Sequence, residues 1–542
     1  MVPIPHGGPM IDTRATGQAH AAVKPESVFV LLSRLVRENR ALVVLIVAAS
    51  VVRVLIMVAY RPALWYHGDS GSYILLAEHA LRPQATFAIG YSAFLQAFRP
   101  TGTLVSVVAV QHLLGLLIAV AVYALLRHRG VRRWLACLAV VPILFDSLQL
   151  VLEHAILVET LATSLMVAAF VLLLWPRSPS TLASFLAGGL LIGAWVVRPP
   201  LLPVIVVVGV YLAVRRIGWR PFIAFVLTAG VPYATVQVVI GEYATPYTAN
   251  YVSFYARVAG FAKCDQITLT EAERALCPSA EVSGHEPGWY IWTAESPGFP
   301  YRMNASNYPV LKQFAIDVVR QQPLDYLRIV GIETAAHFVD GIPLRREHRC
   351  TDELYTFPRT LQLGGPGPIC RAQLASADFQ WPGRPREEAP PANALTTAIE
   401  MYGSIVRTPR LMVLGVYVLV VAAAVVEVRR RRRERKTAAA TVTDDETGSR
   451  VDPITAKADG SVSATTSAEP RALARDGVAL AIVCLAIIVL PTILFMYASR
   501  YALPAMPLLG IAAAMAGESL FANRARGKAH ADTLARPQAS LI

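Results

Sequence analysis

Charge is scarce in this sequence. Asp, Glu, Lys and Arg make up 16% of its 542 residues, whereas soluble domains carry about 25%. Hydrophobic residues reach 55% and the mean hydropathy is +0.47, which excludes a soluble enzyme, a fibrous protein and a mostly disordered chain. The sequence also has no C-x-x-C, no G-x-x-x-x-G-K-[ST] and no internal repeat. Zinc or redox centres, nucleotide sites and repeat architectures are therefore not indicated.

Apolar stretches of about 20 residues are abundant instead, and each is long enough to cross about 30 Å of hydrocarbon. They predict an all-α polytopic membrane protein with about ten transmembrane helices. The predicted spans are 41–60, 103–126, 134–150, 156–175, 181–196, 199–214, 221–240, 411–428, 477–497 and 502–521. The first seven spans, within residues 41–240, form the predicted membrane bundle.

The distribution of positive charge predicts the topology. Alternate connections and the termini hold 28 Lys and Arg residues, whereas segment 241–410 holds 16 against 18 Asp and Glu. The positive-inside rule therefore places the tails 1–40 and 522–542 in the cytoplasm and segment 241–410 outside, at the plasma membrane. The net charge of +13 follows from this topology, so nucleic-acid binding is not predicted. Between span eight and residues 476–521, which hold spans nine and ten, the linker 429–475 has the composition of a disordered cytoplasmic segment.

Segment 241–410 is too long for a passive loop and is predicted to fold as a large, mostly helical extracytoplasmic insertion. Residues 308–339 have the pattern of two amphipathic helices broken at Pro323, because proline removes a backbone donor. The segment has four cysteines, which are Cys264, Cys277, Cys350 and Cys370. In an oxidising compartment they suggest two disulfides. Three pairings are possible, and we favour the local ones, first with second and third with fourth.

Ionisable residues near membrane depth are costly, so they indicate candidate functional sites. The first outer loop, 61–102, has Asp69 in a Gly-Ser turn ahead of a short helix that carries Tyr73 and Glu78. A carboxylate on such a turn can act as a general base or bind a substrate hydroxyl. The alternative is that Asp69 only caps the helix, and the local sequence leaves both interpretations open.

A second group of ionisable residues follows the turn between spans three and four. Asp146, Glu153, His154 and Glu159 interrupt an otherwise apolar stretch. Asp146 and Glu153 are seven residues apart and would share a helix face. Their spacing matches no standard metal-ligand motif, so no metal is predicted, while metal dependence stays open.

Arginines near the outer ends of the spans form the third group. Arg198 precedes two prolines between spans five and six, and Arg500 lies beside Tyr501 between the last two spans. Arg53 lies inside span one, about two turns from its outer end. The guanidinium fork matches phosphate oxygens, although each arginine could also simply snorkel to the interface. Together with the carboxylates, the arginines predict one outward pocket for a phosphate-bearing, lipid-linked substrate.

Six short motifs occur in order along the chain. They are HGDSGSYILLAEHAL (67–81), AIGYSAFLQAF (88–98), LVETLATSLMVAAFVLLL (157–174), GGLLIGAWVVRPPLLPV (188–204), QQPLDYLRI (321–329) and SRYALPAMPLL (499–509). In this order and spacing the sequence resembles the GT-C superfamily of integral-membrane glycosyltransferases, which includes protein O-mannosyltransferases and bacterial aminoarabinose transferases. Ser70, Ser92 and Val158 stand where that pattern usually has Glu, Pro and Ser, which leaves the acceptor class open.

The resemblance implies a GT-C-like fold and transfer of a hexose or pentose from a polyprenyl-phosphate donor, with inversion, to an extracytoplasmic glycan or glycolipid. It implies Asp69 as the general base. It implies Arg500, Arg198 and Arg53 as ligands of the donor phosphate. The residues expected to orient the substrates are Tyr73, Glu78, Tyr91, Glu153, His154, Glu159 and Tyr501. The lipid-linked sugar is a substrate rather than a cofactor, so no cofactor is expected. The expected partners are membrane lipid, donor and acceptor.

Other functions are compatible with a polytopic chain that has buried charge. They are a transporter or lipid flippase, a membrane acyltransferase that uses His154 beside Glu153, and a scaffold that binds proteins through segment 241–410. Convergence of Asp69, Arg198 and Arg500 in one outward cavity would favour transfer chemistry. A tunnel at the bilayer midplane would favour transport.

Overall fold

Helices form almost all of the regular structure in a computed structural model of the chain. The residues it describes are 34–342 except 35, 67–68, 80, 82–87, 241–250 and 303–304, followed by 344, 355–358, 375–376, 386, 388, 391–444 and 456–534. Two compact units are distinguished, Met1–Val44 and Leu45–Ile542. In the first unit, Arg34 pairs with Glu38 one turn along a helix, at 3.1 Å.

The helices of the first half of the chain are α1 (Arg40–Ala59), α2 (Ser70–Glu78), α3 (Ile89–Gln96), α4 (Leu104–His128), α5 (Arg133–Phe145), α6 (Ser147–His154), α7 (Glu159–Leu174), α8 (Thr181–Val197), α9 (Leu202–Val214) and α10 (Trp219–Thr235). The later helices are α11 (Tyr251–Ala259), α12 (Glu271–Arg274), α13 (Pro287–Trp292), α14 (Tyr308–Gln321), α15 (Pro323–Ala335), α16 (Ala394–Ile405), α17 (Arg410–Asp444), α18 (Ala456–Leu494) and α19 (Ala505–Leu534). The strands β1 (Leu64–Trp65) and β2 (Ala375–Ser376) form a short antiparallel pair.

The helices confirm an all-α, multi-pass membrane protein. Within the described residues, six helices are long and apolar enough to cross a membrane. These are Arg40–Ala59, Leu104–His128, Trp219–Val238, Ala394–Thr437, Pro470–Leu494 and Ala505–Gly527. They coincide with the predicted spans one, two, seven, eight, nine and ten. Three shorter apolar helices, of 10–17 residues, occupy the positions of spans four, five and six.

The predicted span 134–150 is bent. Its two halves, α5 and α6, meet at 49°, with Pro142 inside the last turn of α5. Asp146 stands at the bend and caps α6, because its Oδ1 accepts hydrogen bonds from the amides of Leu148 and Gln149 at 2.9 and 3.2 Å. Its Oδ2 accepts a third, at 2.5 Å, from the amide of Thr408. Asp146 is therefore a cap that fixes the bend.

The linker 429–475, predicted to be disordered, is instead helical wherever it is described. Helix α17 continues to Asp444, and α18 begins at Ala456. In α17 the reason is local, since Arg, Glu, Lys and Ala are strong helix formers. Glu427 also pairs with Arg430 and Arg431, one turn ahead, at 3.3 and 3.2 Å. Composition alone underestimated this helical continuation.

Segment 241–410 contains two helices broken where the sequence predicts. Helix α14 ends at Gln321 and α15 begins at Pro323. A hydrophobic core gathers around Tyr255, Leu276 and Phe314. Beside that core, Cys264 and Cys277 form the predicted disulfide. The other predicted pair, Cys350–Cys370, lies outside the described residues.

Candidate active site

Four charged side chains from distant parts of the sequence form one group, named here the Asp69 cluster: Asp69, Glu159, Arg198 and Arg500. Arg500 Nη1 lies 2.7 Å from Asp69 Oδ2. Arg198 Nη1 donates a hydrogen bond to Glu159 Oε1 at 2.8 Å. Arg500 Nε lies 3.7 Å from the same Glu159 oxygen. Glu159 therefore stands between the two arginines and joins the two ion pairs.

Asp69 occupies the N-cap position of α2, but its side chain makes no capping hydrogen bond. Its carboxylate pairs with Arg500 instead. The neighbouring Ser70 fixes the turn: its Oγ donates to the carbonyl of Ile156 and accepts from the amide of Tyr66, both at 2.9 Å. Because Ile156 lies three residues before Glu159, this turn brings Asp69 to the start of α7. Capping alone therefore does not explain the position of Asp69.

The two arginines are placed by backbone constraints. Arg198 ends α8 in an extended conformation, φ −140° and ψ 93°, as expected for a residue before proline. Arg500 lies in the short helical turn Ser499–Ala502 between α18 and α19. Glu159 is the first residue of α7 and Arg198 follows the end of α8, so the connections at one end of this helix pair place the two side chains together.

Exposure divides the cluster into an inner and an outer pair. Glu159 is 1% exposed and Arg198 is 4% exposed. The side chains of Arg500 and Asp69 are 11% and 19% exposed. Asp69 Oδ1 accepts no hydrogen bond from any described residue. A ligand would thus meet Asp69 and Arg500 first, with Glu159 and Arg198 behind them.

Tyrosine rings surround Arg500. Its guanidinium carbon lies 5.1 Å from the ring centre of Tyr66 and 5.4 Å from those of Tyr355 and Tyr501. Burial raises the pKa of Tyr66 to about 12, although Arg500 acts in the opposite direction. Burial likewise raises the pKa of Tyr355 and of Tyr501. All three phenols therefore stay neutral at physiological pH and offer π faces to the cation.

The other predicted substrate-orienting tyrosines lie near the cluster. The buried ring of Tyr73 meets that of Tyr91 edge to face at 5.2 Å. Burial raises the pKa of Tyr73, and the charges of Asp69 and Glu159 raise it further. Glu78, later in α2, makes no hydrogen bond or ion pair with any described residue. Their roles toward a substrate stay predictions.

Arg53, Glu153 and His154 belong to a second, separate group, named here the Glu153 cluster, which also contains His112 and Gln149. Arg53 donates from Nε and Nη2 to the two oxygens of Glu153, at 2.9 Å each. His112 Nδ1 lies 2.9 Å from Glu153 Oε2, and its Nε2 lies 3.1 Å from His154 Nδ1. Gln149 donates to Glu153 Oε1 at 2.8 Å. Donors thus saturate the carboxylate of Glu153.

The Glu153 cluster ties helices together. Arg53 also donates to the carbonyls of Leu144 and Ile143, at the end of α5, at 2.9 and 3.3 Å. Every member is at most 3% exposed. The structure therefore does not bring Arg53, Glu153 and His154 to Asp69. The Glu153 cluster instead connects α1, α4, α5 and α6. The prediction that Arg53 binds phosphate stays a prediction.

Sequence reasoning missed two tyrosines beside the Asp69 cluster and two members of the Glu153 cluster. Tyr66 and Tyr355 face Arg500, yet Tyr355 comes from an irregular stretch that gives no periodic signal. Gln149 stands one turn before Glu153 on α6, a spacing that does predict contact. His112 lies in an apolar span, where the sequence carries no pattern that identifies its partner.

The Asp69 cluster has the chemistry of an anion site with an adjacent base. Two carboxylates and two guanidinium groups sum to zero charge, so an entering phosphate is not repelled. Within the described part of the chain, no three His, Cys, Asp or Glu side chains are arranged to hold a metal ion. Comparison with protein-family models, curated proteins and solved structures finds no match for this chain.

We expect Glu159→Gln to destabilise the protein by about 3–5 kcal/mol, because it leaves two buried arginines opposite Asp69 alone. Asp69→Asn should lower the unfolding free energy much less, since Asp69 is partly exposed to solvent. Denaturant unfolding in detergent measures both. The double variant Glu159→Gln with Arg198→Gln should recover part of the loss. Equal losses for the two single variants would contradict the central position of Glu159.

A substitution at Gly115 of α4 tests how much the packing of the Glu153 cluster contributes to stability. A Cβ at this position would lie 1.8 Å from Glu153 Oε1, so Gly115→Ala must displace the carboxylate that neutralises Arg53. We expect a loss of about 3 kcal/mol or more in unfolding free energy. The control is Gly189→Ala in α8, where a Cβ meets no heavy atom within 4 Å and the change gains up to about 1 kcal/mol of helix propensity. Similar unfolding free energies for Gly115→Ala and Gly189→Ala would contradict the packing argument.

Proposed function

We propose that this chain is a membrane glycosyltransferase that transfers a sugar from a polyprenyl-phosphate donor to an extracytoplasmic glycan or glycolipid, with inversion. The observation that carries the proposal is the convergence of Asp69, Glu159, Arg198 and Arg500. These residues come from four separate parts of the sequence. They place the partly exposed carboxylate of Asp69 against the guanidinium of Arg500, and Glu159 joins that pair to the guanidinium of Arg198. Resemblance of the surrounding motifs to the GT-C superfamily adds to this argument.

Asp69 acts as the general base in this proposal. Its Oδ1 takes the proton of the acceptor hydroxyl while the acceptor oxygen bonds to the anomeric carbon. The bond from that carbon to the phosphate oxygen breaks, and its electron pair leaves with the polyprenyl phosphate. The attack comes from the face opposite the phosphate, so a single displacement inverts the anomeric centre.

The ion pair between Asp69 and Arg500 links the two halves of this reaction. As Asp69 takes the proton, it loses its negative charge and Arg500 loses its counter-ion. At the same time the leaving phosphate gains one negative charge. Positive charge thus becomes available when and where negative charge develops, which is the requirement for electrostatic stabilisation of a transition state. Arg198, which pairs with Glu159 on the buried side of the cluster, adds further positive charge.

Four further predicted residues belong to this proposal. Tyr73 and Tyr501 provide aromatic and hydroxyl contacts for the sugar. Tyr91, whose hydroxyl donates to Gln111 at 2.8 Å, supports the ring of Tyr73, and Glu78 lies further along the same helix as Tyr73. The protein needs no nucleotide or nucleic acid, and its lipid-linked donor is a substrate. Segment 241–410 caps the site and selects the acceptor.

The membrane arrangement proposed with this function has ten spans. The six long helices, the bent pair α5–α6 and the three shorter helices α7, α8 and Pro199–Val214 supply them. Both termini are cytoplasmic and the Asp69 cluster faces outward, because the basic connections lie at the other ends of the spans. The membrane is the plasma membrane, where polyprenyl-phosphate sugars meet envelope acceptors.

A transporter or lipid flippase is the second candidate, and the Glu153 cluster is the observation that favours it. Buried ionisable groups inside a membrane bundle often mark ion or proton pathways. Here, however, Arg53, His112 and Gln149 saturate the carboxylate of Glu153. A group bound on all sides is better suited to holding helices than to exchanging protons.

The proposal predicts that Asp69→Asn lowers sugar transfer by about 10²–10⁴-fold, the usual contribution of a general base. The measurement is donor consumption by membranes that carry equal amounts of folded protein and a polyprenyl-phosphate sugar pool. The matched control is Asp317→Asn in α14, where the carboxylate accepts a hydrogen bond from Gln313 at 2.9 Å. If Asp69→Asn consumes donor like Asp317→Asn, the base assignment fails and the transporter becomes the leading candidate.

A further inference from the structure

A buried ion pair connects two helices of segment 241–410. Arg257 of α11 donates from Nη1 to both oxygens of Glu333 on α15, at 2.8 Å each. Arg257 is 2% exposed and Glu333 is 3% exposed. Because both contacts come from one nitrogen, the guanidinium is not engaged as a two-nitrogen fork. A carboxylate has about four lone-pair sites, so Glu333 keeps acceptor capacity for a third group.

That third group is a backbone amide close to the Asp69 cluster. The amide of Tyr497 donates to Glu333 Oε2 at 3.1 Å. Tyr497 is 1% exposed and precedes Arg500 by three residues. Between them, Ala498 is extended and the turn Ser499–Ala502 follows. The hydrogen bond thus holds the chain two residues before the turn that presents Arg500 to Asp69.

Two further hydrogen bonds fasten α15 to the end of α18. The hydroxyl of Tyr326 donates to the carbonyl of Ile493 at 3.0 Å. The hydroxyls of Thr334 and Thr492 are 3.0 Å apart. Together with Glu333, these contacts run along α15 and fix residues 492–497. The stretch that leads to Arg500 is therefore held by segment 241–410 as well as by its own helix.

We propose that Glu333 is a positioning residue for Arg500, acting through Tyr497 and held in place by Arg257. This inference rests on the proposed function for its effect on catalysis, but its structural part is independent of it. Segment 241–410 then acts on the site directly: a change in the packing of α11 against α15 moves the turn that carries Arg500.

The principal test is the double variant Arg257→Met with Glu333→Met in the full-length protein. Well-packed apolar residues of similar volume often replace a buried ion pair without loss of stability, yet methionine offers no acceptor to the amide of Tyr497. Hydrogen–deuterium exchange then reports on the amides of Tyr497, Tyr501 and Leu503, the last two of which bond within the turn. We expect exchange at these amides to accelerate at least tenfold.

Sugar transfer by the same double variant supplies the second readout. We expect kcat/KM for the donor to fall at least tenfold, mainly through a higher KM, at an unchanged melting temperature. The matched control is Asp325→Asn, on the same helix, which removes only the half-exposed pair with Lys263 at 2.9 Å. It should leave exchange and transfer as in the wild type. If the double variant does not fold, Arg257→Leu with Glu333→Leu takes its place, because leucine also offers the amide of Tyr497 no acceptor, and the same direction is expected for both readouts.

The two readouts separate the inference from the proposed function. Faster exchange of the turn in a protein whose wild type transfers no sugar would support the positioning role and refute the glycosyltransferase. Unchanged exchange together with normal transfer would overturn the positioning role and leave the glycosyltransferase standing. A third check combines the double variant with Arg500→Lys. Additive losses in kcat/KM would show that Glu333 does not act through Arg500 and would also overturn the inference.

Discussion

The cost of burying charge in a low-dielectric interior organises this protein. Each buried charge described above has an opposite charge within contact distance, and each pairing joins elements far apart in sequence. Glu159 between Arg198 and Arg500 joins the start of α7, the end of α8 and the turn between α18 and α19. Another example is Asp476, which is fully buried and lies 2.6 Å from Arg129. Separating a buried charge from its partner strongly destabilises the folded protein. These pairs therefore fix the relative positions of the apolar helices, which otherwise pack without much directional preference.

Hydrophobic patterning was sufficient to predict most of the helices. Apolar runs are a local property, so the six long apolar helices could be located from sequence. The break at Pro323 and the favoured pairing of Cys264 with Cys277 were also confirmed. The bend at Asp146 was not predicted, because capping and the contact with Thr408 depend on tertiary structure. The helical continuation after Arg429 was missed for a different reason: a composition typical of disorder is also rich in helix formers.

The candidate site could be predicted residue by residue but not as an arrangement. The sequence identifies Asp69, Arg198 and Arg500 as unusual near a membrane, yet it does not reveal which charges pair. Arg53 illustrates the limit, since its position in an apolar span does not reveal that it pairs with Glu153. Tyr355 shows the opposite case, since its ring faces Arg500 although nothing in its local sequence distinguishes it. Pairing is decided by the packing of helices, which a linear pattern does not contain.

The central claim is that Arg500 binds the phosphate of a polyprenyl lipid and releases Asp69 as it does so. The most direct measurement is the affinity of the purified protein for polyprenyl monophosphate, the expected product. We predict that Arg500→Gln weakens binding at least tenfold, whereas Asp69→Asn binds at least as tightly as the wild type, because it frees the guanidinium from its counter-ion. Equal binding by Arg500→Gln and wild type, or a loss in Asp69→Asn as large as that in Arg500→Gln, would contradict the account.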